Sequence, residues 1–250
     1  MRLLLGLVVG LVSICAGWAA GSNDFLVCSH TNRAGQVLPY RLLVPNNYDS
    51  QRSYPVILYL HGAAARGTNN AEPLNWGPLL FLDEALRAKH QFFLVVPQCP
   101  LDSGWLQIRG ARPEWSDALE HSVEVVAKVL PAQYRLDPKR RYITGVSMGG
   151  GGVWMTVLRR PSFFAAAVPV CASGFPDLVV PRAAEVPVWV FHSDDDHIVP
   201  VHYARDMVSA WKKNGGKPKY TEYTGLKHSS WKKAYTEMEM FDWLFQQHNP

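Results

Sequence analysis

The 250 residues include only four cysteines, and none forms the Cys-x-x-Cys spacing of a structural zinc site or a thiol redox centre. Charge of one sign is also scarce. Twenty-five Lys plus Arg against 21 Asp plus Glu leave a net +4, spread over short pairs such as Arg140-Arg141, Arg159-Arg160 and Lys212-Lys213 with acidic residues between them. That distribution builds no basic face for nucleic acid. No unit of about 20 to 50 residues repeats, and no interior run of Pro, Gly and Ser reads as a linker, so solenoids and strings of domains are excluded. Charged side chains make up 18% and hydrophobic ones 48%, which excludes a disordered charged tail and a collagen-like repeat and suits one globular domain. Ten Tyr, ten Phe and nine Trp supply enough apolar surface for a core without metal or disulfide support.

The chain opens on MRLLLGLVVGLVSICAGWAAGS: one positive residue, an apolar run from Leu3 to about Ala16, then small residues. This is the pattern of a secretory signal, and the run is shorter than the roughly 20 residues that span a bilayer. The expectation is export, to the periplasm or outside the cell, with cleavage after Ala19 or Ala20. A single domain over residues 21–250 follows, with no stable membrane insertion. Cys15 would leave with the signal. Cys28, Cys99 and Cys171 then allow at most one intramolecular disulfide, whose partners the spacing does not choose.

Short runs rich in β-branched and aromatic residues predict strands at Val37–Val44, Val56–Leu60, Phe92–Val96, Tyr142–Val146, Ala167–Cys171, Val188–His192 and Lys219–Tyr223. Amphipathic stretches between them predict helices at Leu74–Lys89, Glu114–Leu130, Gly149–Arg160, His202–Lys213 and Ser230–Phe245. The alternation implies an α/β fold, a mostly parallel central sheet with helices on both faces, and antiparallel edge strands near Val37–Val44.

The most specific local pattern is Gly145-Val146-Ser147-Met148-Gly149, set between an apolar strand and a helix. Glycines flanking the serine permit a sharp strand-to-helix turn that projects the hydroxyl, which makes Ser147 the candidate nucleophile. A serine hydroxyl needs a base to take its proton and an acid to orient that base. Downstream, one strand runs into Ser193-Asp194-Asp195-Asp196-His197 and a later one into Thr224-Gly225-Leu226-Lys227-His228. His228 is the candidate base. Spacing alone leaves the acid open among Asp194, Asp195 and Asp196, and calcium binding by those carboxylates with His197 is the disfavoured reading, since no full loop template is present. Upstream, His61-Gly62-Ala63-Ala64-Ala65-Arg66-Gly67 follows a strand and can bring backbone N–H groups close to a substrate. The N–H groups of Ala63 and Met148 are the candidate oxyanion donors. His61 is a candidate for support of that loop, and Arg66 either attracts an acidic substrate or faces water. Trp105, Trp115, Trp154 and Trp231 are candidates for an aromatic pocket, with core packing the favoured use. Trp231 has the best case for supporting the histidine loop.

These four ordered segments, together with Ser229-Ser230-Trp231 and Ala234-Tyr235 after His228, are spread over most of the chain beyond the signal. In them the chain resembles secreted α/β-hydrolase esterases, a group near feruloyl esterases, polyhydroxybutyrate-depolymerase-like proteins and the catalytic domains of prolyl oligopeptidases. The resemblance implies that Asp196, the last acidic position before Ile198-Val199-Pro200, is the acid. It also implies acyl transfer through an ester on Ser147 without a cofactor, and a small-molecule ester, feruloyl or other, as substrate. A serine peptidase shares the same triad and is the alternative, as is a catalytically silent binding module of the same fold. Two positions depart from the family pattern: Ser193 replaces a common glycine, and Ala64 replaces the second glycine of the oxyanion loop, restricting its backbone angles.

Overall fold

The computed structural model describes residues 23–109 and 112–249, so the expected signal segment with Cys15 lies outside the described residues. Among them ten strands form: β1 (Phe25–Thr31), β2 (Val37–Leu43), β3 (Tyr54–Leu60), β4 (Phe93–Pro97), β5 (Leu106–Arg109), β6 (Arg112–Trp115), β7 (Leu136–Val146), β8 (Ala166–Val170), β9 (Trp189–Ser193) and β10 (Lys219–Tyr223). Eight make one sheet in the order β1-β2-β4-β3-β7-β8-β9-β10, and β5 with β6 makes a separate antiparallel hairpin. From β4 to β10 every pairing is parallel, while β1–β2 and β2–β4 are antiparallel, in line with the expected edge.

The parallel strands β3, β4 and β8 are buried at every position, as strands covered on both faces must be. Seven α-helices among the described residues do the covering: α1 (Glu84–Lys89), α2 (Asp117–Glu124), α3 (Met148–Arg159), α4 (Pro181–Ala184), α5 (His202–Lys213), α6 (Trp231–Ala234) and α7 (Met238–Gln246). Side chains alternate along β3. Val56, Leu58 and Leu60 join a core with Leu119 of α2, Trp154 of α3 and Trp211 of α5, whereas Ile57 and Tyr59 join a second core with Leu86 of α1 and Phe241 of α7.

Several expected boundaries move for local reasons. The helix expected over Leu74–Lys89 is two 3-10 turns, Glu72–Trp76 and Pro78–Leu82, followed by α1, because Gly77 adopts φ +122° and Pro78 follows it. A side chain at Gly77 would collide with the Tyr59 hydroxyl, 2.3 Å from the position of a Cβ. The helix expected from Glu114 starts at Asp117, where the Ser116 hydroxyl caps it by accepting from the Leu119 N–H at 3.1 Å, and it widens into a π turn at Val125–Val129. The residues before the cap form β6 instead. The helix expected over Ser230–Phe245 divides into α6 and α7 at the buried Tyr235, whose hydroxyl meets Thr144 Oγ1 at 2.8 Å. Strand β1 and the β5–β6 hairpin were absent from the expectation. Pro169 does lie inside β8. It offers no N–H, and the β8–β9 ladder consists of the Val170–Phe191 pair and an Ala167–Val188 bridge.

The loops after β3, β7, β9 and β10 all leave the carboxyl ends of parallel strands, and so converge on one edge of the sheet.

Candidate active site

Ser147 occupies the turn between β7 and α3 with φ +54° and ψ −119°, a left-handed conformation that a non-glycine residue holds only when its surroundings impose it. The surroundings are tight. A Cβ at Gly149 would lie 1.9 Å from the Leu60 carbonyl oxygen, and one at Gly145 would lie 2.7 Å from the same atom. Both flanking positions therefore require glycine, and the turn presses directly on the end of β3. The Ser147 N–H donates to the Val170 carbonyl at 3.0 Å, which pins the turn to β8 as well. Because α3 starts at Met148, its free N–H groups and positive dipole end point toward the serine.

The structure brings the three predicted side chains together. His228 Nε2 lies 2.9 Å from Ser147 Oγ, and His228 Nδ1 lies 2.7 Å from Asp196 Oδ2. The other Asp196 oxygen accepts from the N–H groups of Ile198 and Val199, each at 2.9 Å. Both carboxylate oxygens are thus occupied, and the Asp196 side chain is fully buried while that of His228 is 25% exposed. That geometry selects Asp196 from the aspartate run. Asp194 accepts from the Thr224 hydroxyl at 3.0 Å, and Asp195 Oδ1 accepts from the Lys227 N–H at 2.9 Å and the Ser193 hydroxyl at 2.7 Å. Among the described residues no group of three or more His, Cys, Asp or Glu is arranged to hold a metal ion.

His192 is a contact that sequence reading passed over as a strand residue. It is wholly buried in β9, its Nε2–H donates to the Val199 carbonyl at 2.7 Å, and the same nitrogen lies 3.3 Å from Asp196 Oδ2. Burial holds its pKa below the ordinary imidazole value, which favours the neutral ring. Its position two residues before the acidic run was the one available signal.

The loop after β3 lies against the serine turn: a Cβ at Gly62 would be 3.7 Å from Ser147 Cβ. Ala63 opens the 3-10 turn Ala63–Ala65 and is exposed, as is Ala64. His61 is buried beneath this loop with both ring nitrogens engaged by backbone. Nδ1 donates to the Gly62 carbonyl at 2.7 Å, and Nε2 accepts from the Cys99 N–H at 3.0 Å. This requires a neutral ring, and burial lowers its pKa to about 4. Gln98, also buried and unmarked by any sequence motif, accepts from the Asn70 N–H at 2.6 Å and donates to the Ala65 carbonyl at 3.0 Å. Arg66 braces the loop from outside through the Ala63 carbonyl at 3.1 Å and the Ser103 carbonyl at 3.2 Å.

Of the tryptophan candidates, Trp105, Trp115 and Trp154 belong to the core. Trp105 Nε1 donates to the His61 carbonyl at 2.8 Å and so steadies the loop after β3 from below. Trp231 is partly buried and packs on Trp76 with ring centroids 6.4 Å apart. Cys28, Cys99 and Cys171 are all buried, and no disulfide joins any two of them.

A thermostable esterase of known crystal structure is similar over 90% of this chain and 63% of its own, with 36% identity and a TM-score of 0.84. "Probable feruloyl esterase C" of Aspergillus terreus is 26% identical over 177 residues, 71% of this chain and 62% of that protein. The chain therefore spans less than two thirds of the length of either relative. The acylaminoacyl peptidase of Pyrococcus horikoshii, 12% identical, shares the fold with a TM-score of 0.66 over 90% of this chain and 42% of its own. The model of the Esterase family, described as "Putative esterase", matches residues 31–215, and with its serine turn inside that span this chain belongs to the Esterase family.

Proposed function

We propose that the chain hydrolyses carboxylic esters through a covalent acyl-serine intermediate, an assignment carried by the unbroken contact series Ser147 Oγ, His228 and Asp196 at 2.9 and 2.7 Å. His228 Nε2 takes the Ser147 proton as Oγ attacks the ester carbonyl, then gives that proton to the departing alcohol. Water enters, His228 deprotonates it, and the acid leaves Ser147. Asp196 accepts the Nδ1 proton's hydrogen bond throughout, fixing the tautomer and opposing the imidazolium charge. The N–H groups of Ala63 and Met148 receive the oxyanion, a role supported by the free N–H groups at the start of α3 and by the approach of Gly62 to Ser147.

The substrate class is an ester of modest acyl size, with feruloyl esters first among them on the likeness to the Aspergillus protein. Export, with removal of about the first 20 residues, is the compartment this reading implies; no helix among the described residues is long and apolar enough to cross a membrane.

A panel of p-nitrophenyl acyl esters, feruloyl esters and aminoacyl amides tests the assignment. Ester turnover is expected, with Ser147→Ala abolishing it together with labelling by a fluorophosphonate. Amide turnover with negligible ester turnover would favour the peptidase reading and overturn this one. Asp196→Asn is expected to lower kcat by about 10³- to 10⁴-fold, because the imidazole loses its orienting charge.

A further inference from the structure

The loop that carries His228 is held in an unusual backbone state. Lys227 adopts φ +50°, in the left-handed region, although it is not glycine, and His228 follows at φ −78°, ψ +35°. The neighbouring glycine, Gly225, already supplies one left-handed residue at φ +77°, so the turn contains a second that its sequence disfavours. Such a state persists when other contacts impose it.

Those contacts come from the β9 loop. Asp195 Oδ1 accepts from the Lys227 N–H at 2.9 Å, and Ser193 Oγ accepts from the Leu226 N–H at 3.0 Å. The Ser193 hydroxyl in turn donates to Asp195 Oδ1 at 2.7 Å. Two consecutive backbone N–H groups of the histidine loop are thereby captured by two side chains that act as one unit. Asp195 directly precedes Asp196, so one short segment holds both the acid and the backbone that aims the base. The hydrogen bonds that the Ser193 hydroxyl and the Lys227 N–H donate to it hold the Asp195 carboxyl below its usual pKa.

We propose that Asp195, together with Ser193, is a positioning unit that holds Lys227 in its left-handed turn and so sets the reach of His228 Nε2 to Ser147 Oγ. The inference rests on the reading of His228 as the base. Its reaction-level consequence is a tighter attack geometry rather than tighter substrate binding, and small displacements of a catalytic group are costly in rate.

The test is steady-state hydrolysis of p-nitrophenyl acetate by the full chain and three variants, with pH profiles and thermal melts. Asp195→Ala is expected to lower kcat about 10- to 100-fold, with KM within about twofold and an unchanged pH midpoint of kcat/KM. Asp195→Asn is expected to stay within about threefold of the parent, since its amide oxygen still accepts from the Lys227 N–H. Adding Lys227→Gly to Asp195→Ala should recover part of kcat, because glycine takes the left-handed state without the brace. A parental kcat in Asp195→Ala would overturn the proposal. So would an Asp195→Asn variant as slow as Asp195→Ala with a displaced pH midpoint, which would mean that charge and not geometry matters. Either result leaves the ester hydrolase reading standing if Ser147→Ala is inactive. Absence of Ser147-dependent turnover in the parent chain would instead remove that reading and this inference with it.

Discussion

Gly149 shows how little freedom a single residue can have in this molecule. The Leu60 carbonyl occupies the place of its side chain, so Gly149→Ala must push β3 away from the serine turn. Strain of that kind costs typically about 1 to 3 kcal/mol, occasionally more. Urea unfolding should show a loss at or above the upper end, and ester turnover should fall with it. Gly35, in the β1–β2 turn at φ +80°, has open space around the place of a Cβ, so Gly35→Ala should show only the smaller cost of a left-handed alanine and retain turnover. The same scale explains why the aspartate run was ambiguous in sequence. Asp194, Asp195 and Asp196 are chemically identical, and only the direction in which each leaves the loop decides that one meets His228 while the others hold Thr224 and Lys227.

At the scale of elements, the serine turn and the histidine loop were legible because their chemistry needs particular residues at particular chain positions. Strand limits for β10 and helix limits for α5 also match the sequence periodicity, since each is bounded by polar or turn-forming residues. What remained hidden depends on contacts between distant segments. Gln98 and Asn70 carry no motif, yet together they hold the loop after β3 from below: Asn70 Nδ2 reaches the carbonyls of Cys28 and Tyr40, each at 3.1 Å, while Gln98 spans Asn70 and Ala65. Likewise β5 and β6 are short and irregular in pattern, and their hairpin emerges only because Ser116 starts α2 later than periodicity suggested. Gln98→Ala would leave the buried Asn70 N–H and Ala65 carbonyl without these partners. The expected result is a stability loss of about 1 to 3 kcal/mol in chemical denaturation and a lower kcat at nearly constant KM, because the loop serves the transition state more than the bound ester.

For the molecule as a whole, buried histidines tie stability to pH. His61 remains neutral in the folded chain down to about pH 4, whereas in the unfolded chain it takes a proton below about 6.5. The unfolded state therefore binds more protons between those values, and stability falls as pH drops through that window. For His61 alone the loss reaches about 3 kcal/mol by pH 4 and levels off within about a pH unit below it. His192 and His121, also lowered by burial, act with the same sign. Denaturant titrations at pH 7 and pH 4.5 should show the decline, and an unchanged midpoint would contradict the buried neutral state of these rings. Burial acts in the opposite direction on the thiols, pushing Cys99 and Cys171 up to about 12. Neither should react with iodoacetamide at pH 8 in the folded protein, and both should react after unfolding, as mass spectrometry would show.

Among the described residues strand β10 ends the sheet, paired with β9 alone, and it delivers His228 to the site. The nucleophile, by contrast, rises from β7 between two neighbours. An outermost strand opens at lower free energy than a central one, so amide exchange at Tyr220–Tyr223 should outpace that at Tyr142–Val146. On warming, the base would then withdraw while the central sheet keeps its ellipticity. Inactivation would begin as a local, reversible opening several degrees below the global transition, and cooling from that interval should restore full turnover.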